Sequence, residues 1–266
     1  MISQLKSLFS YRELLLNFAK KELKVKYKNS VLGFLWSLLN PVLMMLVFTV
    51  IFTRIFRFPN IDSPSIFFLA GLLPWNFFNS SVVGGTTSIV GNSSLIKKVY
   101  FPRELLPISI TLANLVNFAL ELIVFVGFIL AFAMFNPRLL DFYKYFPYLL
   151  LLVPILFVFT LGLSLLVAAL NVYFRDIQHM VGILLMVLFY STPIIYPMSM
   201  VPGGKIGFIY SLNPMTTIVS SFKNVLFWLT NPSLNFMLYS AGSAIVMFLF
   251  GYFIFLRLEP EFAEEV

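Results

Sequence analysis

The sequence of 266 residues contains no cysteine and a single histidine, His179. Without thiols it can form neither disulfides nor a thiolate metal site, and one imidazole cannot build a histidine-based metal centre. Charged residues make up only 11% of the chain, whereas 60% of the residues are hydrophobic. A soluble domain of this length cannot bury so much apolar side chain. The chain is therefore expected to be surrounded by lipid.

The sequence motifs of several enzyme classes are also missing. No G-x-x-x-x-G-K-[ST] loop is present, because PGGKIG at Pro202 to Gly207 lacks both the spacing and the hydroxyl residue. The chain is therefore not expected to hydrolyse ATP by itself. His179 has no G-x-S-x-G elbow beside it, which disfavours a membrane protease or acyltransferase. Ser164, in LGLSLL, is expected at a contact of small residues between helices.

Six apolar runs reach about the 20 residues that a transmembrane helix needs. They do not alternate in polarity, so they predict helices and not the strands of a barrel. We predict an all-α integral membrane protein with six transmembrane helices. A shorter stretch, Ile206 to Phe222, is interrupted by Asn213 and Pro214 and is expected to form short re-entrant helices between spans five and six. The six runs are Phe34 to Thr53, Ser65 to Val90, Leu105 to Phe135, Phe146 to Phe174, Met180 to Pro197 and Ser233 to Leu256.

Lysine and arginine are unevenly divided between the two sides of this topology. Six spans place both termini on one side, and twelve of the 18 basic residues lie there. The positive-inside rule makes that side cytoplasmic. The net charge of +7 then reflects topology and attraction to anionic lipid, not nucleic-acid binding. The basic residues on this side are Lys6, Arg12, Lys20, Lys21, Lys24, Lys26, Lys28, Lys97, Lys98, Arg103, Arg175 and Arg257.

The N-terminal stretch from Tyr11 to Lys28 has the periodicity of an amphipathic helix. Its apolar positions, with Leu15 and Val25, fall on one side of a helical wheel and its lysines on the other. We predict an interface helix on the cytoplasmic leaflet. An ordinary positively charged flank would explain the charge but not its phase. The diagnostic residues are Tyr11, Leu14, Phe18, Lys20, Lys24 and Lys28.

The third apolar run carries three polar residues on one helical face, namely Asn114, Asn117 and Glu121. Polar groups inside a membrane either line a pathway or hydrogen-bond neighbouring helices. The sequence leaves both interpretations open. Apart from Glu121, the six apolar runs offer no acidic or basic side chain, which disfavours transport driven by an ion gradient. The energy for any transport is therefore expected to come from another subunit.

Four segments together resemble the permease subunits of bacterial ABC exporters for lipid-linked polysaccharides, the O-antigen and teichoic-acid exporters. They are LGFLWSLLNPVLMMLVFTVIF from Leu32, GLLPWNFF from Gly71, NSSLIKKVYFPRELLPIS from Asn92, and LNVYFRDIQHMVGILLMVLFYSTPIIYPMSMVP from Leu170. The resemblance covers nearly the whole chain in order. It implies a homodimeric type-2 ABC permease in the bacterial cytoplasmic membrane, paired with two copies of a separate subunit that binds ATP and Mg. This chain would itself hold no cofactor.

The resemblance also implies a domain layout. Residues 1–33 would form the cytoplasmic N-terminal segment, 34–258 the permease domain with a re-entrant region at 198–222, and 259–266 a solvated acidic tail. The loop at 92–107 would couple to the ATP-binding subunit. The notable feature of that loop is an aromatic pair beside Pro102, since exposed aromatics are expected where a partner covers them. An ordinary positive-inside loop is the alternative. The coupling residues are Leu95, Lys97, Lys98, Tyr100, Phe101, Pro102, Arg103 and Glu104.

Aromatic residues make up 18% of the chain and suit either a glycan conduit or lipid-facing surfaces. A second cytoplasmic turn contains Arg175 and Asp176, which would either contact the ATP-binding subunit or pair with each other. Cargo alternatives are teichoic acid, a drug or a peptide, and a membrane-embedded glycolipid enzyme is a further alternative. The conduit or gate candidates are Trp75, Phe77, Phe78, Asn114, Asn117, Glu121, Tyr196 and Asn213.

Overall fold

The structure is a computed structural model that describes residues 10–28, 35–51, 64–134 and 137–266. Within these ranges the regular structure is helical and no strand occurs. We number the α-helices in chain order as α1 Arg12–Tyr27, α2 Leu35–Val50, α3 Pro64–Thr87, α4 Ser93–Ile96, α5 Leu105–Ala133, α6 Phe142–Tyr145, α7 Leu149–Tyr173, α8 Ile177–Tyr190, α9 Lys205–Leu212, α10 Pro214–Lys223, α11 Leu234–Leu258 and α12 Phe262–Glu265.

Four helical segments of the described chain are long and apolar enough to cross a membrane. They are Pro64–Thr87, Leu105–Ala131, Leu139–Tyr173 and Leu234–Glu265. The other two predicted spans correspond to shorter helices, because α2 has 16 residues and α8 has 14. The all-helical class is confirmed, whereas the count of six spans is not reproduced by helix length.

Helix α8 ends earlier than its apolar run predicted, at Tyr190 rather than near Pro197. The hydroxyl of Ser191 donates to the carbonyl of Val187 over 2.8 Å, a local bond that competes with continued helix. Pro193 then disfavours a helical conformation for the residue before it. The residues from Ser191 to Gly204, which we call the α8–α9 turn, therefore leave the helix axis.

Helix α3 lies at the centre of the bundle and contacts α2, α5, α7, α8 and α10. Most of its residues are buried, including Phe67, Phe68 and Trp75. Pro74 lies inside this helix and removes one backbone donor. A helix that is apolar on all sides is expected in such a central position.

The most extensive helix pair is α7 with α11. Gly162 of α7 and Gly251 of α11 bring the two backbones into direct contact, since a Cβ atom on Gly251 would lie 2.0 Å from the carbonyl oxygen of Gly162. On the other side of α7, Ser164 is fully buried and donates to the carbonyl of Ser81 over 3.2 Å. The small-residue contact predicted around Ser164 is thus present.

The buried side chains form two hydrophobic clusters. The larger one surrounds α3 and includes α10. The smaller one, which we call the loop cluster, contains Phe101, Leu105, Leu165, Tyr252 and Phe262. It joins the loop before α5 to the ends of α7 and α11, and α1 packs against it.

Candidate functional site

The loop between α3 and α5 projects an exposed apolar and basic segment. After the short helix α4, Lys97 and Lys98 are exposed, as are Val99 at 53% and Tyr100 at 90%. Leu95 is half-buried and packs against the loop cluster. Large side chains exposed to this degree on an otherwise packed base form a surface suited to a protein partner.

Phe101 does not belong to that exposed surface. It is only 4% exposed, and its ring lies 5.7 Å from the ring of Phe18 in α1, in an edge-to-face arrangement. The expectation that a partner covers both aromatic residues beside Pro102 is therefore wrong for Phe101 in this conformation. Its burial instead anchors the loop to α1.

Arg103 and Glu104 are held by the residue that follows α11. The backbone N–H of Arg103 donates to Glu259 Oε1 over 3.1 Å, and its guanidinium donates to the carbonyl oxygen of Glu259. Glu104 is 2% exposed. Burial, together with the neighbouring carboxylate of Glu259, raises the pKa of Glu104 to about 7. These residues line a cavity of about 370 Å³ with Tyr100 and Pro102.

The acidic C-terminal segment packs against the bundle, although the sequence suggested a solvated tail. Phe262 is fully buried and lies 5.3 Å from the ring of Phe255. The hydroxyl of Tyr173 donates to the carbonyl of Leu258 over 3.1 Å and to Glu261 over 2.9 Å. The apolar residue between the acids is the sequence signal for this packing.

Helix α1 has one packed and one exposed face. Tyr11, Leu14 and Phe18 pack against the loop cluster, whereas Lys20, Lys24 and Lys28 are exposed. Lys21 donates to the side chain of Asn92 over 3.2 Å and so ties α1 to the loop that precedes α4.

A polar groove of about 470 Å³ runs between α1, α3 and α5. Asn114 and Asn117 line it, as predicted from their shared face, and they are joined by Asn79 of α3 and Lys26 of α1. Glu121 is attracted by the charge of Lys26. The groove places hydrogen-bonding amides in membrane-spanning helices beside a basic residue.

The aromatic conduit candidates lie in the protein core. Trp75, Phe77 and Phe78 are 5%, 3% and 1% exposed. Their rings lie 5.5 Å from Phe189, 5.5 Å from Phe118 and 5.9 Å from Phe159, respectively. In this conformation their burial and ring contacts show that they serve packing, which does not agree with the expectation that they line a conduit.

Tyr196 and Asn213 hold the α8–α9 turn in place. The hydroxyl of Tyr196 donates to the carbonyl of Tyr190 over 2.8 Å, and it lies 3.5 Å from the hydroxyl of Tyr210. Asn213 caps α10 by accepting from the N–H of Met215 over 3.0 Å and donates to the hydroxyl of Thr192 over 3.1 Å. The predicted short helices between the last two spans are present as α9 and α10.

The turn between α7 and α8 contains Arg175 and Asp176, both exposed. No salt bridge joins them to each other in the part of the chain that the structure describes. Asn171, which the sequence analysis missed, fixes this turn by accepting from the N–H of Gln178 over 3.2 Å. Its side chain is 2% exposed, and an asparagine near the end of an apolar helix is the signal that indicates such a role.

Comparison of the sequence with known proteins places this chain among transporters. Residues 13–227 match the family model described as ABC-2 type transporter. The O-antigen export system permease protein RfbA of Myxococcus xanthus is 36% identical over all of both chains. A protein of the same name from Klebsiella pneumoniae is 33% identical over 95% of this chain and 94% of its own. The polysialic acid transport protein KpsM of Escherichia coli is 25% identical over 75% of each.

Proposed function

The chain belongs to the ABC-2 type transporter family, and from that membership we propose that it is the transmembrane permease subunit of an ABC exporter for lipid-linked polysaccharide. The cargo class follows from the names of its relatives, which export O-antigen or transport polysialic acid. ATP and Mg are bound by a separate subunit. We place the chain in the bacterial cytoplasmic membrane with both termini in the cytoplasm, because most basic residues lie on that side.

The exposed segment from Lys97 to Tyr100 is the observation that carries the coupling role. A permease without a nucleotide-binding loop needs a surface that receives force from a motor. This segment offers two cations and a 90% exposed tyrosine, which suit an interface with a hydrophobic centre and a charged rim. Residues 92–107 are the coupling loop of this proposal.

The base of the coupling loop provides the path for the force. A displacement of the loop acts on α1 through the contact of Phe101 with Phe18. It acts on α11 through the bonds of Arg103 to Glu259. Because packed helices shift as rigid elements, closure of two ATP-bound motor subunits would tilt these helices together.

The lipid-linked cargo enters beside α1 in this proposal. The exposed lysines of α1 favour anionic headgroups, and its packed face keeps the helix at the membrane surface. The polar groove beside it contains amides and Lys26, groups that hydrogen-bond sugar hydroxyls and phosphate. Asn114 and Asn117 belong to the entry side of the pathway.

A homodimer supplies the rest of the pathway. The described helices of one chain pack around their own core, and the aromatic candidates are buried in it. Helix α8 buries only Val181 and Leu185, and leaves Ile183, Leu184 and Val187 more than half exposed. This apolar surface requires lipid or a second copy to cover it. At the opposite end, α9 and α10 form the exit gate as re-entrant helices.

Reconstitution with the ATP-binding subunit tests the proposal. The complex in vesicles is expected to hydrolyse ATP and to move a lipid-linked polysaccharide, whereas the purified chain alone hydrolyses none. The double variant Lys97→Ala, Lys98→Ala is expected to reduce export and to cause lipid-linked glycan to accumulate inside cells. Lys144→Ala, which removes an exposed lysine of α6 outside both the coupling loop and the gate helices, is the matched control.

Two results would contradict this function. ATP hydrolysis by the isolated chain would remove the need for a motor subunit. Turnover of a lipid-linked sugar by the isolated chain would identify a membrane-embedded enzyme instead. Normal surface glycan in the double variant, with unchanged motor binding, would assign the coupling role to other residues.

A further inference from the structure

Lys223, at the end of α10, is a buried lysine that the proposed mechanism does not use. It is 3% exposed, and no carboxylate pairs with it among the described residues. A lysine is rarely buried so completely without a partner. Its polar contacts therefore identify what it does.

The amine Nζ of Lys223 reaches across to the α8–α9 turn. It donates to the carbonyl of Pro193 over 2.6 Å and to the carbonyl of Tyr196 over 3.2 Å. It also lies 3.7 Å from the centre of the Phe67 ring in α3, within the range of a cation–π contact. One side chain thus joins the turn, α10 and the central helix. We call Lys223, Pro193, Tyr196 and Phe67 the Lys223 clasp.

Gly71 of α3 makes room for this clasp. A Cβ atom at position 71 would lie 2.7 Å from Cε of Lys223 and 2.8 Å from the carbonyl oxygen of Ile194. Both contacts are shorter than folded proteins tolerate. The central helix therefore has a glycine where the lysine stem and the turn backbone meet.

The neighbouring helix α9 is held much less firmly. Phe208 and Ile209 are each 64% exposed, and α9 buries no residue. By contrast, α10 is buried along its length. The clasp therefore separates a fixed element from one with few contacts, which is the arrangement expected at a hinge.

We infer that Lys223 is a positioning residue that holds the α8–α9 turn against α3 and so sets the closed position of the exit gate. This inference rests on the proposed function, in which α9 and α10 form that gate. Opening separates the turn from Lys223 and exposes the carbonyls of Pro193 and Tyr196 to water, which replaces the lysine as their donor. An apolar residue at position 223 would leave both carbonyls unpaired when the gate is closed, so the closed state would be less populated.

The absence of native cysteine allows a direct test. A single reporter, Ile194→Cys, is placed at a fully buried position of the turn. The complex with its ATP-binding subunit is reconstituted in vesicles, and the rate of reaction with a membrane-impermeant maleimide is measured with and without ATP and vanadate. Adding Lys223→Met removes both hydrogen bonds. It is expected to raise the rate without nucleotide at least about tenfold, since the loss of even one hydrogen bond from a lysine donor shifts an equilibrium by about that factor.

Three further variants separate the effect of the Lys223 clasp from that of any substitution. Lys144→Met, at an exposed position of α6 outside the gate, should leave the rate unchanged. Gly71→Ala keeps the lysine but displaces it, so it should raise the rate as Lys223→Met does, even if the latter fails to assemble. Compared with Lys223→Met, Lys223→Arg should partly restore the dependence of the labelling rate on nucleotide.

Labelling at the original rate in every assembled clasp variant, Gly71→Ala included, would overturn the inference. A purely structural role for Lys223 would lower the yield of the complex but leave labelling of the assembled protein dependent on nucleotide. Because labelling needs no cargo, this outcome is separate from a failure of the unsubstituted complex to export polysaccharide, which would count against the proposed function.

Discussion

Arg103 and Glu259, 156 residues apart in the chain, are joined by two hydrogen bonds, one from the backbone N–H and one from the guanidinium of Arg103. The coupling loop and the end of α11 therefore behave as one unit. Since α11 and α7 form the most extensive helix pair of the described residues, a force on the loop is expected to reach both helices. Arg103 makes its hydrogen bonds within the chain, whereas Lys97 and Lys98 are exposed and remain available to a partner.

The first prediction concerns the contact between Arg103 and Glu259. Arg103→Met is expected to lower the free energy of unfolding by about 1.5–3 kcal/mol, the range for a hydrogen bond from a charged donor, and to reduce export per ATP hydrolysed. Arg257→Met, an exposed arginine near the end of α11, is the control and should change neither quantity. Thermal unfolding of the complex and its ratio of glycan export to ATP hydrolysis measure the two effects. Equal behaviour of the two variants would contradict the role of Arg103.

The second prediction separates two adjacent aromatic residues. Phe101→Ala is expected to destabilise the chain by about 3–5 kcal/mol, as for a buried phenylalanine, because its ring packs against Phe18. Tyr100→Ala should leave the stability of the chain unchanged, because Tyr100 is 90% exposed, and should weaken binding of the ATP-binding subunit by at least about tenfold. Melting temperature and co-purification with the motor subunit distinguish the outcomes. Loss of stability in Tyr100→Ala would contradict the assignment.

Sequence periodicity predicted the helical class and the break at Asn213-Pro214, because each depends on local composition. The coupling loop was implied by the resemblance to ABC permeases and stays a prediction. Periodicity could not predict which of Tyr100 and Phe101 faces outward, since that depends on α1. The contact of Arg103 with Glu259 likewise depends on residues far apart in the chain. The role of Lys223 could not be predicted either, because its carbonyl partners are set by the path of the turn.

The third prediction concerns the helix pair α7 and α11. Gly251→Ala is expected to prevent normal packing, because the added Cβ would lie 2.0 Å from the carbonyl oxygen of Gly162, a backbone atom that cannot move aside. We expect loss of most folded protein and a penalty above about 3 kcal/mol for any that remains. Gly242→Ala, in the same helix with no atom within 4 Å of the new Cβ, is the control. Detergent-solubilised yield and size-exclusion profiles would show the difference, and a well-folded Gly251→Ala protein would refute the close contact.

The fourth prediction is a pH dependence that arises at Glu104. Its pKa in the folded chain is raised to about 7 from an ordinary value of 4.5 by burial and by Glu259. Between these two values the folded chain binds more protons than the unfolded chain, so its stability falls as pH rises. Arg103 and Tyr252 are the other polar groups that face this pair. The melting temperature is expected to decrease from pH 5 to pH 8.

Glu104→Gln tests the origin of that dependence. The amide has the shape of the protonated acid but does not titrate, so the decrease between pH 5 and pH 8 should become smaller. Glu265→Gln, an exposed acid in α12, should leave the decrease unchanged. A melting curve that depends on pH to the same extent in Glu104→Gln as in the unsubstituted protein would exclude Glu104 as the cause.

The contact between Gly162 and Gly251 also has a consequence for biosynthesis. Helix α7 leaves the ribosome well before α11, so the bare backbone around Gly162 has no partner while α8, α9 and α10 are being made. Lipid must cover that surface of α7 until α11 has been made. Gly251 then lets the backbone of α11 approach Gly162 closely enough to replace the lipid. Packing of the bundle is therefore expected to be complete only after α11 has been synthesised.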